Sequence, residues 1–333
     1  MDLKTSYLGL QLNHPIVASA SPLSRDFDGI RRLEDAGAAA IVMPSIYEEE
    51  IEAEDAAFAA LVERGSLTQP EASGYFPWTA SPVGSLAGRV ETLRRASEAC
   101  AVPIIASLNG STPTGWVDFA RELETAGAKA IELNLYRVPT DAEASGEEVE
   151  QRWLETVRIV RAAVSLPLAV KLGPWLSSPS HFTRRLIEAG ADGLVLFNRF
   201  YEPDIDLATL LPKPDLQLSR RNEIRQALLW IALLARRTTA SLAATSGVET
   251  HEEVVKYLLG GADVVMTASS LLRHGPDHLG ILRRGLEDWI AGRGFNGVGD
   301  LRGLLAASRL ADPEAYVREQ YIQILTGYDV AAP

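Results

Sequence analysis

The chain has 333 residues, of which 47% are hydrophobic, and a formal net charge of −12 at neutral pH. The length fits one large α/β barrel or two smaller domains; the acidic balance argues against a nucleic-acid partner, and the single cysteine, Cys100, excludes an intrachain disulfide or a thiolate cluster within one subunit. Residues 1–6 lack the basic and apolar segments of a signal peptide, and no run of about 18 apolar residues occurs, so a cytoplasmic chain without a membrane span is expected.

Along the chain, two patterns alternate. His14-Pro-Ile-Val-Ala-Ser19 reads as a first strand, opened by a proline whose missing N–H matters little there. A helix over 25–36 ends in Ala36-Gly37-Ala38, and an apolar second strand runs to Met43. After a long insertion, 45–84, a helix over 85–100 precedes the third strand, Val102-Pro-Ile-Ile-Ala-Ser107. The helix over 116–126 stops at Ala126-Gly127-Ala128 and feeds the fourth strand, to Leu133. Helix 147–164 leads to the fifth strand, Leu166-Pro-Leu-Ala-Val-Lys171. Helix 179–189 stops at Ala189-Gly190-Ala191 before the sixth, which ends at Leu196. A second insertion, 199–221, precedes helix 222–236 and the seventh strand, Ala240-Ser-Leu-Ala-Ala-Thr245. Helix 250–259 stops at Gly260-Gly261-Ala262 before the eighth strand, to Met266, and helix 276–291 completes the ring. A glycine-capped helix followed by a buried strand implies a parallel sheet. Eight such units predict closure into a (β/α)8 TIM barrel over 1–291, with a helical C-terminal extension over 292–333.

Barrel chemistry gathers at the C-terminal ends of the strands, and both long insertions leave from there. Ser19, Ala20 and Ser21 end the first strand with side chains small enough for a flat ligand to reach the backbone. Asn109 ends the third. Glu132 and Asn134 share one face of the fourth, where polar groups need partners or a ligand, and Tyr136 and Arg137 follow. Lys171, an inward lysine, can donate to an electron-rich ring or an anion, and Asn198 is polar at the end of an apolar run. Ser246 and Gly247 after the seventh strand, with Ala268, Ser269 and Ser270 after the eighth, stand where barrels hold a phosphate on backbone N–H groups. His274 and His278 have metal-like spacing but no carboxylate cluster to support it, so they read as a surface pair and no metal is expected. Arg220, Arg221, Arg225, Arg236 and Arg237 read as solvated helix charges.

These motifs together resemble the dihydroorotate dehydrogenase family of FMN-dependent barrels. The similarity runs from Leu8-Gly-Leu-Gln-Leu-Asn-His-Pro15 to about Trp289, through Glu132-Leu-Asn-Leu135, Val170-Lys-Leu172, Ser246-Gly-Val-Glu-Thr250 and the segment 268–276. The resemblance implies CH–CH oxidation with hydride passed to flavin N5, a place in pyrimidine biosynthesis, and a homodimer. It also implies FMN held by Ser19, Ala20, Ser21, Asn109, Asn134, Lys171, Asn198, Ser246, Gly247, Ala268 and Ser269. Lys171 would lie at the flavin pyrimidine edge and stabilise the charge of the reduced ring. An electron-transfer protein partner is expected beside the small-molecule substrate, and any iron–sulfur centre would belong to that partner.

The chain departs from the family at the substrate. Tyr136-Arg137-Val138-Pro139 stands where the family continues Ser-Cys-Pro-Asn, Met43 replaces its lysine after the second strand, and 64–84 lacks its asparagine-rich segment. Tyr136 is then the candidate base and Arg137 a candidate receptor for a substrate carboxylate or phosphate. Two alternatives remain at this point. One is a phosphate-binding lyase or isomerase using a Lys171 Schiff base; the other is a flavin-binding subunit without catalysis.

Overall fold

The computed structural model describes residues 1–50, 53, 86–109, 113–136, 138–199, 203–307, 310 and 312–327. Arg137 and most of the first insertion therefore lie outside the described residues.

The chain opens with an antiparallel hairpin, β1 (Thr5–Tyr7) and β2 (Leu10–Leu12), that the sequence reading did not anticipate. Leu8 and Gly9 both take positive φ at its turn, as a tight two-residue hairpin requires. Eight parallel strands follow: β3 (Ile16–Ala18), β4 (Ile41–Val42), β6 (Ile104–Asn109), β7 (Ala130–Leu135), β8 (Leu168–Leu172), β9 (Gly193–Leu196), β12 (Ser241–Ala244) and β13 (Val264–Thr267). The short β5 (Ile46–Tyr47) extends the pairing along β6. Because β13 pairs with β3 and β4 pairs with both β3 and β6, the sheet closes on itself as expected.

The ring of helices comprises α1 (Phe27–Asp35), α2 (Leu86–Ala99), α3 (Pro113–Thr125), α4 (Gly146–Ala163), α5 (Pro179–Glu188), α6 (Ile224–Leu234), α7 (His251–Gly260), α8 (Ser269–His274) and α9 (His278–Gly292). Of these, the short α8 falls within the segment 268–276, which the family resemblance marked as a strand end and its helix. The expected glycine stops form four equivalent caps. Gly37, Gly127, Gly190 and Gly261 all have φ between 92° and 117°. The residue after each glycine donates its N–H five residues back: Ala38 to Leu33, Ala128 to Leu123, Ala191 to Leu186 and Ala262 to Tyr257. This left-handed cap satisfies the last helical carbonyls and turns the chain straight into the next strand. The insertion after β9 carries a second hairpin, β10 (Asp204–Asp206) with β11 (Leu211–Lys213). In the C-terminal extension, α10 (Val298–Leu301) buries Val298 and Leu301, whereas α11 (Pro313–Thr326) buries nothing.

Strand alternation produces two cores. Side chains such as Ile131, Leu133 and Val170 point out and pack under the helices. Val17, Val42, Ile105, Val195 and Met266 point in, and Tyr7, Leu8 and Leu12 of the hairpin plug the lower end of the barrel against them. Gly193 permits that plug, because a Cβ there would lie 2.5 Å from the Leu8 side chain.

Where β3 begins, His14 is buried, its Nε2 2.9 Å from the Gly37 carbonyl while its Nδ1 accepts from Ile16 N–H at 3.3 Å. Both ring nitrogens are thus used by the neutral imidazole. Burial, with the Arg283 charge nearby, lowers its pKa to about 4 although the bond to Gly37 opposes the shift. The unfolded chain therefore binds more protons between the ordinary value of 6.5 and about 4, and stability must fall as pH drops through that window. The expected loss from this group is roughly 3 kcal/mol between pH 7 and pH 4. Urea unfolding across that range should show it, and His14→Gln should flatten this part of the profile; an unchanged slope would refute the assignment.

Candidate active site

At the C-terminal ends of the strands two recesses, of about 60 and 400 Å³, meet at Ala20, Lys171 and Asn198. The smaller lies over β9, β12 and β13 and is bordered by Ser19, Arg199, Ser219, Ser246, Gly247, Ala268 and Ser269. The larger opens toward β3 and β4 and is bordered by Ser21, Arg25, Ser45, Arg89, Asn134 and Tyr136. Of the residues expected to hold the cofactor or act on the substrate, Asn109 alone among those described borders neither recess. It faces a separate groove beside α3 and α4, and its amide lies 3.5 Å from the Tyr136 carbonyl. Arg137 lies outside the described residues.

Lys171 forms the floor where the recesses meet. Strand pairing places it beside Asn134 of β7 and Val195 of β9, and its side chain is only 10% exposed. Its Nζ lies 3.4 Å from Oε1 of Glu132, which is buried inside the barrel. Beside this pair runs an uncharged network. Asn198 donates its amide to Asn134 Oδ1 at 2.8 Å, Asn134 donates to Ser45 Oγ at 3.3 Å, and Ser45 Oγ lies 2.8 Å from Ser107 Oγ. The network crosses the mouth from β9 to β6 and holds both amide planes in place. Ser45 had no signal in the sequence, because only the closure of the barrel brings it beside Asn134.

The smaller recess is built from loops. Ser246 and Gly247 have φ of 79° and 69°. A Cβ at Gly247 would lie 2.7 Å from both the Arg220 carbonyl and the Ile224 side chain, so only glycine fits without displacement. Tyr257 braces this turn from below, its hydroxyl donating to the carbonyls of Thr245 at 3.1 Å and Ser246 at 3.0 Å. Burial, with the Glu253 charge nearby, pushes that phenol above the ordinary tyrosine range, so it remains a donor. Ser219 reaches in from the second insertion; its Oγ accepts from Gly247 N–H at 3.1 Å and lies 2.9 Å from Ser269 Oγ. Arg273 holds the segment down by donating to the carbonyls of Leu218 at 3.0 Å and Ser219 at 2.7 Å.

Glu249 ties Arg273 in turn, at 2.5 Å, and also takes Nε2 of His274 at 2.5 Å. Burial pushes the Glu249 carboxyl up, but the hydrogen bond from His274 and the Arg273 charge hold it below the usual range. His278 Nε2 lies 2.8 Å from the Glu249 carbonyl, so both histidines serve this loop. Ser270 differs from expectation: its hydroxyl is fully buried against Thr267 Oγ1 at 2.7 Å and faces away from the recess. Arg199, missed in the sequence, adds a charge. Its Nε lies 3.4 Å from Glu223, while its buried Nη1 has no acceptor among the described residues.

The smaller recess thus joins hydroxyls and a guanidinium with an unused donor, the chemistry of an anion receptor. The larger joins an ammonium floor, amides and a phenol.

No family model matches the chain. Curated relatives do. The chain is 27% identical over 315 residues to a protein of Aeropyrum pernix provisionally named dihydroorotate dehydrogenase A (fumarate), covering 91% of this chain and 97% of that one. It is 24% identical over 312 residues to the catalytic subunit of dihydroorotate dehydrogenase B (NAD(+)) of Methanothermobacter thermautotrophicus, covering 91% and 98%. It is also 24% identical over 328 residues to the NAD-dependent dihydropyrimidine dehydrogenase subunit PreA of Escherichia coli, covering 91% and 76%. Closure of the sheet and the alignments agree on the architecture: the chain is a closed (β/α)8 barrel that is similar to dihydroorotate dehydrogenases along about nine tenths of its length.

Proposed function

We propose that the protein is an FMN-dependent oxidoreductase acting on a CH–CH bond of a small-molecule substrate. The observation that carries this reading is the continuity of a recess lined by serines and Arg199 with a mouth floored by Lys171. A molecule with a phosphate at one end and a flat ring at the other matches that shape. The donor set fits the phosphate, since the hydroxyl-bearing Ser246 and Ser269 and the cationic Arg199 border one side. Ala20 leaves room for a ring, and Lys171 below supplies positive charge to its electron-rich edge. When bound, FMN supplies two-electron chemistry that no side chain offers.

The chain's own residues do the rest. Asn134 and Asn198, locked by their mutual hydrogen bond, orient what lies above them. Tyr136 borders the wider recess and is the group assigned to hold or move the substrate proton, with Arg137 assigned to a substrate anion. Arg89, anchored to the Ser45 carbonyl at 3.0 Å and ion-paired with Glu50 at 2.5 Å, braces the same wall. The wall's departures from the family's Ser-Cys-Pro-Asn motif favour a substrate other than dihydroorotate. Relatives named as subunits support an electron-transfer protein partner. A cytoplasmic location belongs to the same proposal; among the described residues, no helix is long and apolar enough to cross a membrane. A homodimer does too, with the exposed Ile205, Leu207, Leu210 and Leu211 of the second hairpin as its contact face. Light scattering that returns a monomer would remove the dimer.

The deciding experiment is the absorption spectrum of protein purified without added cofactor, with the released chromophore identified by mass. Bound FMN is expected; a colourless protein that also refuses added FMN would overturn the reading. Lys171→Glu, which sets a second carboxylate beside Glu132, should lower flavin content at least tenfold. Gly247→Ala should weaken FMN binding much more than riboflavin binding, because it displaces only the phosphate side. Equal losses for the two ligands, measured by fluorescence quenching, would place the phosphate elsewhere.

A further inference from the structure

The barrel interior holds a charged pair, Glu132 with Lys171, that the mouth does not require for its shape. In β7 the inward positions are Ala130, Glu132 and Asn134, and Glu132 lies one layer below the mouth beside Ser107 and Ala169. It is 1% exposed, and neither carboxylate oxygen has a hydrogen-bond donor among the described residues. Its charged contact is the Lys171 Nζ at 3.4 Å. From below, the hairpin presents Tyr7, whose buried hydroxyl has no hydrogen-bond partner among the described residues. Burial, followed by the charges of Glu132 and Asp263, pushes this phenol well above the ordinary tyrosine range, so it stays neutral.

A carboxylate with no hydrogen bonds is a costly way to fill a barrel, and buried ion pairs seldom outdo apolar side chains of similar volume. Other inward positions of the strands, such as Val17, Ala169 and Ala243, are filled at no such cost. Stability therefore does not account for Glu132, and its charged contact leads to Lys171.

We propose that Glu132 is a positioning residue: it anchors the Lys171 ammonium at the junction of the two recesses and balances its charge beneath the ring-binding mouth. Lys171 has four rotatable side-chain bonds and, among the described residues, no other ion-pair partner. A carboxylate below it fixes where the ammonium sits and moderates the field it sends upward. With Glu132 neutralised, Lys171 presents an unbalanced charge to whatever binds above.

The inference rests on the FMN reading for its effect on the cofactor, but not for its effect on the lysine. Two measurements keep these apart. In cofactor-free protein, Glu132→Gln should make Lys171 react several-fold faster with an amine-acylating reagent, as read by peptide mass. An unchanged rate would overturn the anchoring, whatever the cofactor. In protein loaded with FMN, Glu132→Gln should shift the flavin midpoint potential positively, corresponding to roughly tenfold stronger preference for the reduced over the oxidised cofactor. Lys171→Met should shift it the other way, and Glu132→Gln should add nothing to Lys171→Met. An unmoved potential in Glu132→Gln, or an undiminished shift in the double variant, would show that Glu132 does not act through Lys171. Wild-type protein that takes up no FMN would refute the functional reading while the acylation result still decides the anchoring. If Glu132→Gln does not fold, Glu132→Asp keeps the charge but shortens its reach, and it should also speed acylation.

Discussion

The pairing of β7 with β8 is the constraint on which the rest of the mouth depends. Asn134 lies opposite Lys171 and Glu132 opposite Ala169, so one register decides which polar side chains enter the barrel and at what height. A slip of one residue in β7 would turn Glu132 and Asn134 outward into the helix layer and bring Leu133 inside, and a slip in β8 would do the same to Lys171 and Val170. The apolar contacts of Leu133 and Val170 under the helices therefore hold the chemical groups in place as well as the fold.

The loops above the ring follow a different logic. They cannot borrow rigidity from the sheet, so side chains from distant parts of the chain fasten them. Tyr257, rooted in α7, supports the Ser246 turn, while Arg273 and Glu249 pin the segment that delivers Ser219. The smaller recess is consequently a joint between the second insertion and the two strand ends. Changes to Arg273 should therefore reach the recess without touching a ligand.

Much of the fold was legible because its signals are local. Gly37, Gly127, Gly190 and Gly261 each close a helix through hydrogen bonds within six residues, and each is followed by an apolar strand. The first hairpin was less legible, since its strands are three residues long and its apolar side chains continue the opening motif. Lys171, Asn134, Asn198, Ser246 and Gly247 could be picked out because polar residues or glycine at the end of an apolar strand stand out against the pattern. Ser219, Arg199 and Ser45 could not, as each lies in irregular chain where nothing in its neighbours marks it.

By itself the sequence determined the order of strands and helices, the closure they imply, and which strand ends bear polar groups. These follow from caps and alternation, whose partners lie within a few residues. Only the tertiary structure decided that Glu132 pairs with Lys171, that Ser219 docks on Gly247 and Ser269, that Arg199 borders the same recess, and that Asn109 faces another groove. Those contacts join residues tens of positions apart, and their distances are set by the curvature of a closed sheet and the packing of an insertion over it. Neither is encoded in any local stretch of the chain.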